Sequence, residues 1–442
     1  MTPNAGARLD RLPISSFHRR IMWLIGIGMF FDGFDIYLAA TVLGATLKSS
    51  FSTLGQNAQF VSLTFLGMML GSFLTGFLGD RYGRRFTYQA NLAVFGIASI
   101  ASAFMPSMRM LILLRFIMGL GLGAENVVGY STMTEFVPPQ ARGRWLGGMS
   151  VFVVAGLPVS ALVGTLIIPE FGWRVMFILG GLGALVVWYL RKALPESPRW
   201  LESVGRAEEA DRILRSIERE VLLQFSSLPP PESAASMNHS RELVSLISPA
   251  LLSRMVVGAT TLIVVNTLIY GFVTWLPTFF VQQGRSIASS FGYSLVISLG
   301  APVGSAIGAF TSDSWGRKPT IIGASLLTIL VGGLYPFIRD PVALMISGII
   351  LVIPIYVLVT LLFAIYIPEL FPTEVRLRAS GICNTFGRGA TIVTPFMVVA
   401  LFRSYGVGGV LWLMIGLLIA QICVVLLFGV EPKKRRLEEI AP

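Results

Sequence analysis

Charge is scarce in this 442-residue chain: Asp, Glu, Lys and Arg together make 13% of it, while apolar residues make 54%. A soluble globular domain carries roughly 25% charged residues, so lipid rather than water must solvate most of this surface. Histidine is scarcer still. The two present, His18 and His239, fall outside the predicted membrane helices, which excludes a histidine relay across the membrane and leaves carboxylates to carry any proton. Cysteine is as rare, and Cys383 and Cys423 both sit in apolar segments. A lone thiol there acts as a small apolar group, so no disulfide framework or metal set follows. Nucleophile–base pairs, metal-ligand spacings and glycine-rich phosphate loops are missing as well. The expectation is a protein that is not an enzyme and takes no metal or organic cofactor, with protons as the coupling ion.

What the chain does have is length of apolar run. Twelve stretches of about twenty residues recur between Ile21 and Val430, each able to cross a hydrocarbon core of roughly 30 Å at about 1.5 Å per residue. Six precede and six follow the one long polar stretch. This predicts an all-α integral membrane fold of twelve transmembrane helices in two pseudo-symmetric six-helix bundles. The expected domains are residues 1–195, a cytoplasmic linker 196–252, and residues 253–442 with a basic tail. Within the linker, Ile213, Ile217 and Val221 repeat every four residues between Ala207 and Phe225, as in an amphipathic surface helix. The sequence SSLPPPESAASMNHS, residues 226–240, has no apolar period and predicts a flexible tether.

The formal charge of +11 does not point to nucleic acid, because the basic residues mark one membrane face. If predicted helix 1 leaves the cytoplasm, 26 of the 34 Lys and Arg fall in the termini and in the loops after even-numbered helices; six fall in the opposite loops. By the positive-inside rule both termini are cytoplasmic. The first apolar stretch is too long for a signal peptide and lacks a cleavage site, so it is read as helix 1. The expected setting is multi-pass in a bacterial inner (plasma) membrane, with lipid and a small-molecule substrate as partners and a monomer as the working unit.

The halves repeat each other. GFLGDRYGRR, residues 76–85, is echoed by AFTSDSWGRK, residues 309–318; EFVPPQARGR is echoed by ELFPTEVRLR, with Glu135 to Arg142 and Glu369 to Arg376 both seven apart. Two parallel repeats can rock about a central site, the basis of alternating access. The motif with Gly76, Asp80, Arg84 and Arg85 resembles the signature of the major facilitator superfamily. With PESPRWL, residues 195–201, and PELFPTEVR, residues 368–376, the chain is similar to its sugar-porter-related branch. The resemblance implies a cytoplasmic latch in which Gly76 allows close helix approach and Asp80 pairs with Arg84 or Arg85. Asp313 and Arg317 form a second copy, weakened by Ala309 and Ser314. Glu135–Arg142 and Glu369–Arg376 are the expected matching salt bridges. Small residues spaced by four on helix 2 (Gly67, Gly71, Thr75), helix 5 (Gly156, Ser160, Gly164) and helix 8 (Gly300, Gly304, Gly308) predict close helix contacts. In this superfamily helices 5 and 8 meet across the domain interface, where these stripes are expected to lie.

Ionisable residues inside apolar helices cost several kcal/mol unless they face a cavity or a partner. Five are found: Asp32 and Asp35 on helix 1, Arg115 and Glu125 on helix 4, and Arg388 on helix 11. Counting from the helix ends puts Asp32 roughly 18 Å and Asp35 roughly 22 Å in, with Arg115 at the level of Asp35 from the other side. An Asp35–Arg115 ion pair is expected. Arg388 reaches roughly 14 Å from the inner end, and Asn384 shares its face. The pattern D-G-F-D with G-R-G-A, residues 387–390, resembles the aromatic acid:proton symporter family, which implies proton coupling at Asp32 and Asp35 and an anionic substrate at Arg388. Glu125 departs from that pattern and is similar to helix 4 of phosphate, nicotinate and other metabolite symporters, as a further proton carrier. Polar residues at helical spacing, Asn126 and Tyr130, Asn266 and Tyr270, and Tyr356, predict the cavity lining, because helices 1, 4, 7 and 10 line the cavity of that fold. The leading expectation is proton symport of a small organic anion, an aromatic or heterocyclic carboxylate. Two alternatives stay open: a sugar or polyol carrier, and a proton-driven exporter of drugs or organic cations.

Overall fold

The computed structural model describes residues 5–230, 249–282, 286–371 and 376–431. Its first six long helices are α1 (Ser16–Lys48), α2 (Leu54–Tyr82), α3 (Arg84–Ser102), α4 (Met108–Phe136), α5 (Pro139–Phe171) and α6 (Arg174–Leu190). After the linker come α7 (Pro249–Gly271), resumed as Leu276–Gln282 beyond a 3₁₀ turn, and α8, in two pieces (Ile287–Ser298 and Gly300–Ser314). Next are α9 (Arg317–Leu334) and α10 (Pro341–Thr360), which runs on through a π-helical stretch, Leu361–Tyr366. The last run, Arg376–Phe428, is two helices, α11 (376–405) and α12 (407–428), divided at Gly406, whose φ of 66° no ordinary helical residue adopts.

Ten stretches among the described residues are long and apolar enough to span a membrane, the last of them covering both α11 and α12. α3 falls short because Arg84, Arg85, Gln89 and Asn91 crowd its first half. With α3 counted and the last stretch divided, the twelve expected segments are all helical. The repeat is visible in the backbone too. Gly83 and Gly316 turn the chain from α2 to α3 and from α8 to α9 with φ of 94° and 107°, a region that disfavours any residue with a Cβ.

Glycine stripes set the helix spacing, but not where the sequence placed them. A Cβ on Gly33 would lie 2.1 Å from the Val153 carbonyl, and one on Gly156 would lie 2.3 Å from the Phe34 amide, so α5 presses its stripe against α1. The stripe of α8 faces α10, with Gly304 against the Ile353 carbonyl at 2.2 Å. Gly67 and Gly71 of α2 meet Phe116 and Leu120 of α4; the Thr75 side chain lies outside the described residues. The small residues of α5 and α8 therefore tighten pairs within each half and do not form the α5–α8 seam, although α5 and α8 do touch elsewhere.

The halves join where α2 meets α11, α5 meets α8, and α1 meets Leu276–Gln282. The Ser62 hydroxyl donates to the Ile392 carbonyl at 2.7 Å, the Tyr356 hydroxyl to Tyr37 at 3.1 Å, and the Phe65 and Tyr270 rings lie 4.3 Å apart. At the opposite end a short helix, Ala5–Asp10, and the linker helix Ala207–Leu222 cover α1 and α4. Leu9, Leu12, Phe17, Ile21, Phe136, Leu214, Ile217 and Val221 form one buried cluster there. Arg8 grips Glu218 with two bonds of 3.0 and 2.7 Å and reaches Asp211 at 2.7 Å, while Arg20 grips Glu220 at 2.9 and 2.8 Å. His18 corrects the expectation drawn from sequence: it lies within α1, fully buried, with its Nδ1 3.1 Å from the Ser15 hydroxyl. Its imidazole closes the N-terminal cap of the helix. Residues 231–240 of the predicted tether lie outside the described residues.

Candidate functional site

The ionisable residues of α1 and α4 form two buried clusters. In the first, the Arg115 guanidinium donates to the Asp35 carboxylate, to the Asp35 carbonyl at 2.8 Å and to the Thr64 hydroxyl at 3.2 Å. Phe60 covers the guanidinium, its ring centroid 5.1 Å from Cζ. Both side chains are shielded from solvent, so removing either would strand the other charge at a cost of about 3–5 kcal/mol.

The second cluster contains a residue that the sequence reading counted as a loop charge. Arg191, in the turn that ends α6, extends into the bundle and donates to the Glu125 carboxylate, to the Leu24 carbonyl at 2.9 Å and to the Ile25 carbonyl at 2.7 Å. The Tyr88 ring supports it at 4.8 Å. Gly28 makes the passage, since a Cβ there would sit 2.0 Å from Arg191 Nη2. Glu125 is therefore an ion-pair partner rather than a free acid. Only its burial and the loop position of an arginine hinted at this. Asp32, one turn along α1 from Gly28, is 1% exposed, and among the described residues neither carboxyl oxygen has a hydrogen-bond partner. A buried carboxylate that finds no donor is costly.

Arg388 stands apart. Its side chain is partly exposed on α11, and among the described residues no carboxylate pairs with it. Tyr270 is within electrostatic reach, and Gly387 lets the Asn266 amide approach, a Cβ at that glycine meeting Nδ2 at 2.9 Å. Asn266 itself donates to the Leu262 carbonyl at 2.7 Å. Asn384 is partly exposed one turn below Arg388. The structure thus sets Tyr270 within reach of Arg388 and Asn266 against the adjoining Gly387, places Tyr356 on Tyr37, and turns the Tyr130 hydroxyl to Ser150 at 3.0 Å. The Asn126 side chain lies outside the described residues.

At the end of the bundle nearest the linker, two ion pairs occupy equivalent places. Arg84 reaches Glu135 at 3.1 Å; Arg317 holds Glu369 with two bonds of 2.9 Å. Both glutamates were assigned to other arginines by their seven-residue spacing. The loop glycines bring the first residue of α3 and of α9 within reach of these glutamates. Side chains of Arg142, Arg376, Asp80, Asp313 and Gly76's surroundings lie outside the described residues. Behind each pair is a carboxylate absent from the sequence reading. Glu196 accepts the Arg84 and Arg85 amides at 3.0 and 3.2 Å, and Glu431 the Arg317 and Lys318 amides at 3.0 and 2.7 Å. Each sits at a helix N-terminus, where the dipole favours an anion. Burial pushes the Glu196 carboxyl up while these amides and Arg84 pull it down, leaving it above the usual range. The Arg85 side chain bonds the Lys192 carbonyl at 2.9 Å.

Comparison with known proteins places this architecture. The family model described as "Sugar (and other) transporter" matches residues 22–442. The chain belongs to that family. Inner membrane metabolite transport protein YdjE of Escherichia coli (strain K12) is 38% identical over 446 residues, covering 99% of this chain and 98% of that one. Niacin transporter NiaP of Acinetobacter baylyi is 30% identical over 440 residues, covering 98% and 99%. The partially occluded inward-open xylose transporter XylE from E. coli superposes with a TM-score of 0.74 at 20% identity, covering 96% of this chain and all of that one. The protein is a membrane transporter of the major facilitator superfamily, built like the sugar porters.

Proposed function

We propose that this transporter takes up a small organic anion together with protons, the substrate being an aromatic or heterocyclic carboxylate. Arg388 carries the reading. Of the arginines within the bundle, Arg115 and Arg191 are each held by a carboxylate, whereas Arg388 has Tyr270 within electrostatic reach, with Asn266 against the adjoining Gly387, and no carboxylate pairs with it among the described residues. A guanidinium fork offers two parallel donors to a carboxylate, and Tyr270 supplies an aromatic face for a flat ring. The relative named as a niacin transporter supports this chemical class. Asp32 is the coupling acid, because it is the buried carboxyl whose two oxygens both lack a partner among the described residues.

Sugar-porter architecture does not bring sugar chemistry with it: the segments 147–166 and 256–276, on α5 and α7, contain no glutamine to hydrogen-bond a hexose. The transporter acts as a monomer in a bacterial inner membrane, both termini cytoplasmic, with no cofactor beyond the proton. The test is proteoliposomes loaded with a pH dye and offered nicotinate, other organic acids, polyols and organic cations in turn. Acidification of the lumen by an aromatic carboxylate, lost in Arg388→Ala and Asp32→Asn, is the expected result. Entry of polyols without pH change, or proton efflux driven by cations, would sink the proposal.

A further inference from the structure

We propose that Arg191 is a positioning residue shared in alternation by Glu125 and Asp32, through which the proton on Asp32 controls the inner end of α6. The inference rests on Asp32 as the coupling acid. Arg191 is fixed at three points: the carbonyls of Leu24 and Ile25 on α1, the carboxylate of Glu125 on α4, and the face of Tyr88 on α3. It thereby ties the end of α6 to three other helices. Gly28 and Asp32 are four residues apart and share a helix face, so the guanidinium beside Gly28 lies about 6 Å along the axis from Asp32.

Charge counting gives the device its direction. With Asp32 protonated, Arg115 has Asp35, Arg191 has Glu125, and the set is neutral. Loss of the Asp32 proton to water leaves one negative charge in excess, on two oxygens that no donor reaches among the described residues. Such a charge must find a cation or remain costly, and Arg191 is the guanidinium one turn away. Turning toward Asp32 withdraws it from Glu125 and from the α1 carbonyls. The inner end of α6 is then released. Glu196, which follows within five residues, holds the start of α3, and Arg199 reaches the Glu135 carbonyl at 3.0 Å and Asp10 at 2.6 Å. Release of α6 therefore reaches the Arg84–Glu135 pair.

The other groups facing this site do not offer Asp32 an alternative. Asp35 and Arg115 engage each other; Tyr130 of α4 is turned to Ser150; Tyr37, Tyr270 and Tyr356 lie further out. α5, pressed on α1 at Gly33 and Gly156, has no titratable residue between Trp145 and Ile168. His18 is roughly 21 Å away along α1.

The experiment uses the full chain in nanodiscs, with Cys383 and Cys423 replaced by Ser and spin labels at Val204→Cys and Trp315→Cys, two exposed positions at the linker end of opposite halves. The separation, read by pulsed electron resonance, is expected to change with pH at one midpoint and to stay at its acid value at every pH in Asp32→Asn. Glu125→Gln is near-isosteric and leaves an acceptor; by freeing the guanidinium for Asp32 it should move the midpoint down by at least one pH unit, a tenfold change in proton affinity. Arg191→Gln should abolish the pH response. An unmoved midpoint in Glu125→Gln, or an intact response in Arg191→Gln, overturns the shared-guanidinium proposal even if Asp32→Asn shows that Asp32 is the proton site. A wild type insensitive to pH overturns both.

Discussion

Three arginines within the bundle are told apart by their partners, and that distinction decides what each substitution should do. Arg388→Lys keeps the charge but loses the fork. Since a charge-assisted hydrogen bond contributes about 1.5–3 kcal/mol, the KM for an aromatic carboxylate should rise roughly tenfold or more, with thermal stability unchanged. A KM within twofold of wild type would place the substrate elsewhere. Gly28→Ala should behave in the opposite way. Its Cβ would drive into Arg191 Nη2 at 2.0 Å, and overpacking of this kind costs about 1–3 kcal/mol, so the melting temperature should fall although Gly28 touches no substrate; an unchanged melting temperature would show that Arg191 has room to move. Asp32, Asp35, Glu125, Arg115 and Arg388 could be found in the sequence because a charge inside an apolar run is conspicuous. Arg191 could not. It stands at the junction of helix and loop, where arginine is ordinary, and only the fold shows that its side chain turns inward past a glycine.

Helices were legible as elements but not as pairs. A four-residue spacing of small side chains says that another helix comes close; it does not say which one, and the stripes of α5 and α8 turned out to serve α1 and α10. The latch glutamates carry a related lesson: a seven-residue spacing says nothing of the arginine that a loop glycine brings from the next helix, and Arg84 and Arg317 reach Glu135 and Glu369 that way. Linker and N-terminal segment form a third case: the amphipathic helix was readable from its period, but Arg8, Arg11 and Arg20, which fasten the chain start to it, looked only topogenic. Burial resists ionisation of Glu218, yet hydrogen bonds from Arg8 and Arg11 hold its carboxyl below the usual range. A depressed carboxylate stabilises the fold above its unfolded titration range, and that contribution is lost as pH falls through the folded value. The Ala5–Asp10 helix should therefore keep its amide protection at neutral pH and lose it in acid, below the ordinary glutamate range. Glu218→Gln should lower that protection at pH 7 as well, seen by hydrogen exchange of residues 5–14. Equal protection in wild type and variant would mean that the segment is held without Glu218, by Leu9 and Leu12 and by the Arg8–Asp211 and Arg199–Asp10 bonds.

Across the whole molecule the halves meet at the end that carries Lys48 and Gln282. Gly44 lies against Phe291 and Pro277 there, and Trp275, Phe279 and Phe280 are buried. Under the charge-derived orientation this is the outer end. Arg388 and Asn384 remain partly exposed, and alternating access requires the proposed site to open to one side at a time. Tandem six-helix organisation was legible in the repeated loop motifs. The conformation was not, since nothing in composition says which end of a rocking pair is closed. Coupling is the central claim, and it is most directly tested by imposing a pH gradient, alkaline inside, on proteoliposomes with the membrane voltage clamped by potassium and valinomycin, and measuring accumulation of a radiolabelled aromatic monocarboxylate. The account predicts accumulation above the external concentration in the wild type, and equilibration without accumulation in Asp32→Asn. Accumulation by Asp32→Asn, or a wild type indifferent to the gradient, would contradict it.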